Sequence, residues 1–265
     1  ITFEDLEKAS PVEDRSMMDR WIISSMQSLI KTVNEKMENY YLYEVIPPLM
    51  NFVDELTNWY VRSNRKRFWK EKDENDIDKI NAFKTLHEVL LEFSKSMAPV
   101  LPFICEKIYQ GLIEENNESI HYCDYPEADK NLIDKDLEDN IELAKKVIKS
   151  VRNLRVKLKL PNKQPLNSVK IITKDKEIEE KLNVISDLIK NEVNVKEVLF
   201  DFDVDNWINY EFKPNFKVLG PKLGEQINVL SEYLNNVDEN ISNDILQGNG
   251  VVIDDIKVSS GEIDI

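Results

Sequence analysis

The chain has 265 residues, 42% hydrophobic and 32% charged, with a formal net charge of −15. That length can bury a sizeable core and hold two domains, and the composition is too apolar for a disordered chain. Its apolar runs fall short of the ~18 residues that span a bilayer, and no basic-then-apolar leader opens the sequence, so neither a membrane partner nor secretion is expected.

In chain order, residues 1–15 are polar and broken by Pro11, and read as a connector. Ser16 and Asp19 offer an approximate capping box for a helix from about Met17 to Met37, with Trp21, Met26, Leu29 and Val33 along one face. A second helix, begun or kinked by Pro47-Pro48, is expected to run to about Lys70. After a charged loop at 71–76, a third helix spans about Asp76–Met97 and stops before Pro99; a fourth starts at Pro102 and reaches Ile113. Residues 114–129 are a polar connection with a short extended piece, Ile120-His121-Tyr122-Cys123, and a fifth helix runs from about Asn131 to Lys157.

Beyond Pro161 the texture changes. Val169–Thr173 and Val195–Val204 read as strands around a helix at Asp175–Lys190, a β-α-β unit. A helix at about Pro221–Leu234, a shorter one near Asn240–Leu246 and a strand at Val251–Val258 complete the chain. The expected organisation is a connector at 1–15, a helical domain at 16–125, a linking helix at 126–160 and a small α/β domain at 161–265.

The charge is sorted. Residues 58–70 carry +5 and residues 145–170 carry +9, neither with an acid, which leaves −29 on the remainder. Two basic islands in an acidic body hold a polyanion at chosen places and repel it elsewhere. On a continuous helix, Asn58, Arg62, Arg65 and Trp69 fall within roughly 60° of one another, opposite the apolar stripe. Such a ridge can clamp phosphates and stack on unpaired bases; the plain alternative is a solvated face of ion pairs.

Other chemistry is missing. There is no phosphate loop, no dinucleotide fingerprint and no nucleophile–base pair of convincing spacing, and acid pairs such as Asp254-Asp255 read as solvated surface. His87 lies in an apolar stripe and His121 in a loop, which favours structural roles for both. Cys105 and Cys123 suit free thiols in a reducing compartment, and with two histidines beside them no zinc cluster is expected.

Asn58-Trp59-Tyr60-x-Arg62-x-x-Arg65-x-Arg67, after Phe52-x-Asp54-Glu55-Leu56-Thr57, resembles the anticodon-binding helical domain of isoleucyl-tRNA synthetases of the eukaryotic and archaeal type. Met18-Asp19-Arg20-Trp21-Ile22, Met97-Ala98-Pro99 with Pro102-Phe103, Arg152-Asn153-Leu154-Arg155, Pro165-Leu166 and Leu219-Gly220-Pro221-Lys222-Leu223-Gly224 agree in the right order. The resemblance implies a mostly α fold, a class I synthetase anticodon-binding bundle followed by a small α/β C-terminal module. It implies that a parent enzyme joins isoleucine to its tRNA through an aminoacyl-adenylate, with ATP and Mg as its cofactors and none in this part. Neither His-Ile-Gly-His nor Lys-Met-Ser-Lys-Ser occurs in the chain, so the catalytic and editing domains are expected elsewhere and this part is expected to be inactive alone. Isoleucine tRNA and the parent's catalytic domain are the implied partners, with no DNA and a cytoplasmic location. The residues expected to meet tRNA are Asn58, Arg62, Arg65, Lys66, Arg67, Trp69, Arg152, Arg155, Lys157 and Lys159. The rival readings are the same region of a valyl- or leucyl-tRNA synthetase, or a helical protein–protein interaction module.

Overall fold

In the computed structural model, helix α2 (Met17–Glu38) starts where the Ser16 hydroxyl accepts from the Asp19 amide at 3.2 Å. The expected box is only half closed. The Asp19 carboxylate turns inward, where Tyr60 Oη donates to it at 2.6 Å. Trp21, Ile22, Met26, Leu29, Ile30 and Val33 form the buried face of α2, the apolar stripe the sequence shows. The structure describes residues 1–71, 76–114, 118–204, 207, 211–253 and 256–264. Most of the expected charged loop at 71–76, part of the connection after Glu114, and Asp254-Asp255 lie outside them.

Residues 1–15 are tied down more firmly than a connector. A helical turn α1 (Phe3–Leu6) closes a capping box between Thr2 and Asp5, and the Ser10 amide donates to Asn81 Oδ1 at 2.8 Å. The buried Arg15 guanidinium donates to Thr85 Oγ1 at 3.0 Å and pairs with Glu88 at 2.6 Å.

Pro47 and Pro48 occupy the first turn of α3 (Ile46–Asp54), where a missing N–H removes no helical bond. The helix expected to continue to Lys70 does not stay α-helical. Glu55–Val61 is π-helical, and α4 (Arg65–Trp69) follows after Asn64. The cause is visible in the spacing of Phe52, Leu56, Tyr60, Asn64 and Phe68. Inward positions four residues apart drift about 40° per step on an α-helix, and a π segment, with its wider turn, absorbs the drift. Helices α5 (Ile77–Met97) and α6 (Pro102–Leu112) lie near the expected bounds, with the Asp76 side chain capping α5 at the Lys79 amide. Ile120–Tyr122 is a 3₁₀ turn and not an extended piece. Helix α7 (Lys135–Lys157) is capped by Asp134 and packs against α2.

Strands β1 (Leu166–Ile172) and β2 (Val195–Asp201) pair; Leu166 N donates to the Asn194 carbonyl and Thr173 N to the Asp201 carbonyl, which makes the pair parallel. The single helix expected between them is two, α8 (Lys176–Val184) and α9 (Ser186–Val193), and α9 packs against α7.

The chain divides into two compact units, residues 1–169 with 177–199, and residues 170–176 with 200–265. Helices α8 and α9 therefore join the helical unit and not the later module. The second unit contains α10 (Phe216–Leu223), α11 (Ile227–Leu234) and α12 (Glu239–Leu246). The expected Pro221–Leu234 helix is thus two, parted at Gly224, whose φ is +54°. Its strands are β3 (Lys213–Pro214), β4 (Val251–Ile253), β5 (Ile256–Val258) and β6 (Ile263–Asp264), with β3 antiparallel to β6 and β4 to β5. The one strand expected at Val251–Val258 is therefore a hairpin. Phe212, Leu219, Leu230, Leu234, Ile245 and Val258 are in the core of this unit. Gly250 is required there, since a Cβ on it would meet the Val258 carbonyl oxygen at 2.4 Å.

Candidate nucleic-acid interface

The first basic island separates into inward and outward residues. On α4 the Arg65 guanidinium carbon lies 3.6 Å from the centre of the Trp69 ring, one turn apart. The indole is 70% exposed, so its outer surface is free to stack. Arg62, Arg65 and Trp69 line a depression of about 490 Å³ with the apolar Val61, Phe68, Phe83 and Leu86. The same three residues also line a larger one of about 860 Å³, together with Lys66, Lys70 and Glu192 among others. Lys66 is exposed. Arg62, Arg65 and Trp69 are thus brought together, while Asn58, exposed a turn earlier, donates to Asp54 at 3.3 Å.

Arg67, expected at the tRNA surface, faces the core. Its Nη1 and Nη2 donate to the two oxygens of Asp19 at 2.9 and 2.8 Å, its Nε donates to Asp78 at 3.0 Å, and Nη1 also reaches Asn64 at 3.0 Å. Asp19 has no solvent exposure. The pairing raises the Arg67 pKa further, against the cost of burial, and desolvation together with the Asp19 charge drives the Tyr60 phenol well above its ordinary value. Every donor of Arg67 is committed to the bundle, which leaves none for a phosphate.

The second island divides in the same way. Arg155, also expected at the tRNA surface, is 3% exposed; its Nη1 donates to the carbonyls of Pro161 and Gln164, and its Nη2 to those of Val193 and Asn194, at 2.8 to 3.2 Å. It fastens the end of α7 to the loop that follows and to the end of α9. Lys145 is buried over the Trp21 ring at 4.6 Å and pairs with Glu55 at 2.6 Å. Arg152 lies 5.8 Å from the Trp59 ring and pairs with Glu192. The exposed cations are Lys146, Lys149, Lys157, Lys159, Lys163 and Lys170; Lys170 pairs with Asp201 at 3.3 Å, and the other five have no ion pair among the described residues. Lys159 has φ +55°, and the Leu160 amide donates to the Arg155 carbonyl, so a left-handed lysine ends α7 where glycine is usual.

Sequence reasoning missed Glu192 and Asp19, the two acids that sort these arginines. Asp19 lies 48 residues before Arg67, on another helix, and left no local signal. Glu192 lies far from both islands in sequence and left no local signal. Of the histidines, His87 Nε2 is 2.7 Å from the Leu112 carbonyl, a contact within the bundle.

An exposed aromatic–guanidinium pair at a helix end, flanked by cationic depressions, suits a single-stranded nucleic acid. The sequence family described as the anticodon-binding domain of tRNA ligase matches residues 19–172, and the chain belongs to that family. It is 38% identical over 263 residues to an isoleucine–tRNA ligase of Clostridium novyi, covering 96% of this chain and 25% of that protein. It is 37% identical to those of Clostridium kluyveri, over 274 residues, and Treponema denticola, over 238 residues, covering 26% and 22% of them. The chain spans about a quarter of the length of these curated relatives. All three are bacterial, so the comparisons give the expected eukaryotic and archaeal type no support.

Proposed function

We propose that this chain is the tRNA-gripping part of an isoleucine–tRNA ligase, and that the surface around α4 meets the anticodon loop of isoleucine tRNA. The observation that carries this is the Arg65–Trp69 pair, held in contact at 3.6 Å on an exposed surface of a chain in the anticodon-binding family. The indole supplies a stacking face that any unpaired base fits, and Arg65 and Lys66 supply charge for the phosphates on either side. The exposed lysines Lys157 and Lys159 supply backbone contacts that fix register and carry no sequence information. Arg67 and Arg155 serve this surface indirectly, by holding α4 and the end of α7 in place.

The aminoacylation of isoleucine tRNA, with its ATP and magnesium chemistry, is proposed for the whole ligase in a cytoplasmic setting. No residue of this chain is assigned a step in that reaction, and the ligase's catalytic domain is the protein partner. The relatives' names favour isoleucine over the valine and leucine alternatives.

The test is a titration of labelled isoleucine tRNA and one non-cognate tRNA across a salt series. The proposal expects preference for the isoleucine tRNA and a steep loss of affinity with salt. Equal affinity for both tRNAs at every salt concentration would sink it and favour a docking surface for an acidic protein.

A further inference from the structure

Three donors converge on the Glu192 side chain. Arg62 Nη2 reaches Oε2 at 3.0 Å, Arg152 Nη2 bonds the same oxygen, and Ser63 Oγ donates to Oε1 at 2.7 Å. Two guanidinium groups facing one carboxylate leave a positive charge in excess. The buried Arg152 Nε has no acceptor at all. Glu192 is the penultimate residue of α9 (Ser186–Val193), at the helix end where backbone dipoles disfavour a carboxylate. It is held there by its partners and not by its own helix. The same residue lines the 860 Å³ depression walled by Arg62, Arg65, Lys66 and Trp69.

We propose that Arg62, Ser63 and Arg152 form a phosphate-binding site, filled in the free chain by Glu192, which a backbone phosphate of the bound nucleic acid displaces. This inference rests on the tRNA reading of the surface. A phosphodiester presents two anionic oxygens to a forked guanidinium, as the carboxylate does, so it can take the place of Glu192 on the same donors, and charge-assisted bonds of this kind are among the strongest available. Arg152 also donates to the Glu192 main-chain carbonyl at 3.3 Å, so the site keeps its shape when the side chain swings away. The carboxylate then acts as a threshold. Apparent affinity is lowered by the fraction of molecules in which it still occupies the site, and an anion too weak to evict it is rejected.

Glu192→Gln keeps acceptors and length while removing the charge. It is expected to bind isoleucine tRNA several-fold more tightly than the wild type. Its salt slope should steepen by about 1, because the site's net charge rises by one and one more counterion leaves the nucleic acid on binding. The gain should vanish in Arg62→Ala/Glu192→Gln. Unchanged or weaker binding by a folded Glu192→Gln overturns the proposal. If that variant melts below the assay temperature, Glu192→Asp, one methylene short of both guanidinium groups, decides in the same way. Inorganic phosphate separates this inference from the functional reading. It should raise the melting temperature of Glu192→Gln more than that of the wild type whether or not tRNA binds, and equal shifts count against the site.

Discussion

Arg67 holds Asp19 by both carboxylate oxygens, at 2.8 and 2.9 Å, joining α4 to α2 across the buried centre of the bundle. The same arginine reaches Asp78 at the start of α5, so one side chain ties three helices. A basic run in an acidic chain suggests surface, yet this residue serves the fold. Arg67→Ala strands Asp19 without its cation, and removal of one partner of a buried pair costs about 3–5 kcal/mol. Urea unfolding followed by circular dichroism should show that loss. A stability within about 0.5 kcal/mol of the wild type, as for an ordinary surface change, contradicts the assignment.

Arg155 and Lys157 should separate in the same manner. Arg155→Ala removes donors from four carbonyls, and stability should fall by about 2–4 kcal/mol. Lys157→Ala should leave melting unchanged and reduce the salt slope of tRNA binding by about 1. Melting curves beside salt titrations read both effects. A reversed pattern would place Arg155 at the nucleic acid.

Lys159→Gly tests the helix end. Glycine tolerates the left-handed backbone there, so local strain falls while one exposed cation is lost. The expected result is a folded state no less stable than the wild type that binds tRNA more weakly. A lower melting temperature shows that the lysine side chain itself holds the turn.

Much of the architecture is legible in the sequence because α2, α5 and α7 carry long apolar stripes, while the cap at Ser16 and the proline at Pro102 mark the starts of α2 and α6. The π segment was not, since an apolar stripe drawn at α spacing reaches Trp59 and Tyr60 together and does not say which is inside; Tyr60 is. The hairpin of β4 and β5 reads as one strand because both halves are β-branched. At the site, Arg65 and Trp69 are legible from their i, i+4 spacing. The inward turns of Arg67 and Arg155 depend on tertiary partners, an aspartate on α2 and carbonyls at the end of α9, that no local pattern reveals.

Acid should loosen the second unit through Glu262. Its carboxylate accepts from Lys222 and from the Ser259 amide and hydroxyl, which lowers its pKa from the ordinary value to about 2. A depressed carboxylate pKa contributes stability that is present above the ordinary glutamate range and lost as pH falls through about 2. Amide exchange at Leu230 and Leu234 should therefore be slower in the wild type than in Glu262→Gln at pH 6. The two should converge towards pH 2, and a gap that widens in acid would reverse the sign.

The most direct test of the α4 surface is Trp69→Ala, measured for isoleucine tRNA binding and for melting together. The indole is 70% exposed, so folding should be nearly unaffected, while the lost base stack should weaken binding by roughly 1–3 kcal/mol. A variant that binds isoleucine tRNA as the wild type does, or that unfolds, would contradict a recognition role for this surface.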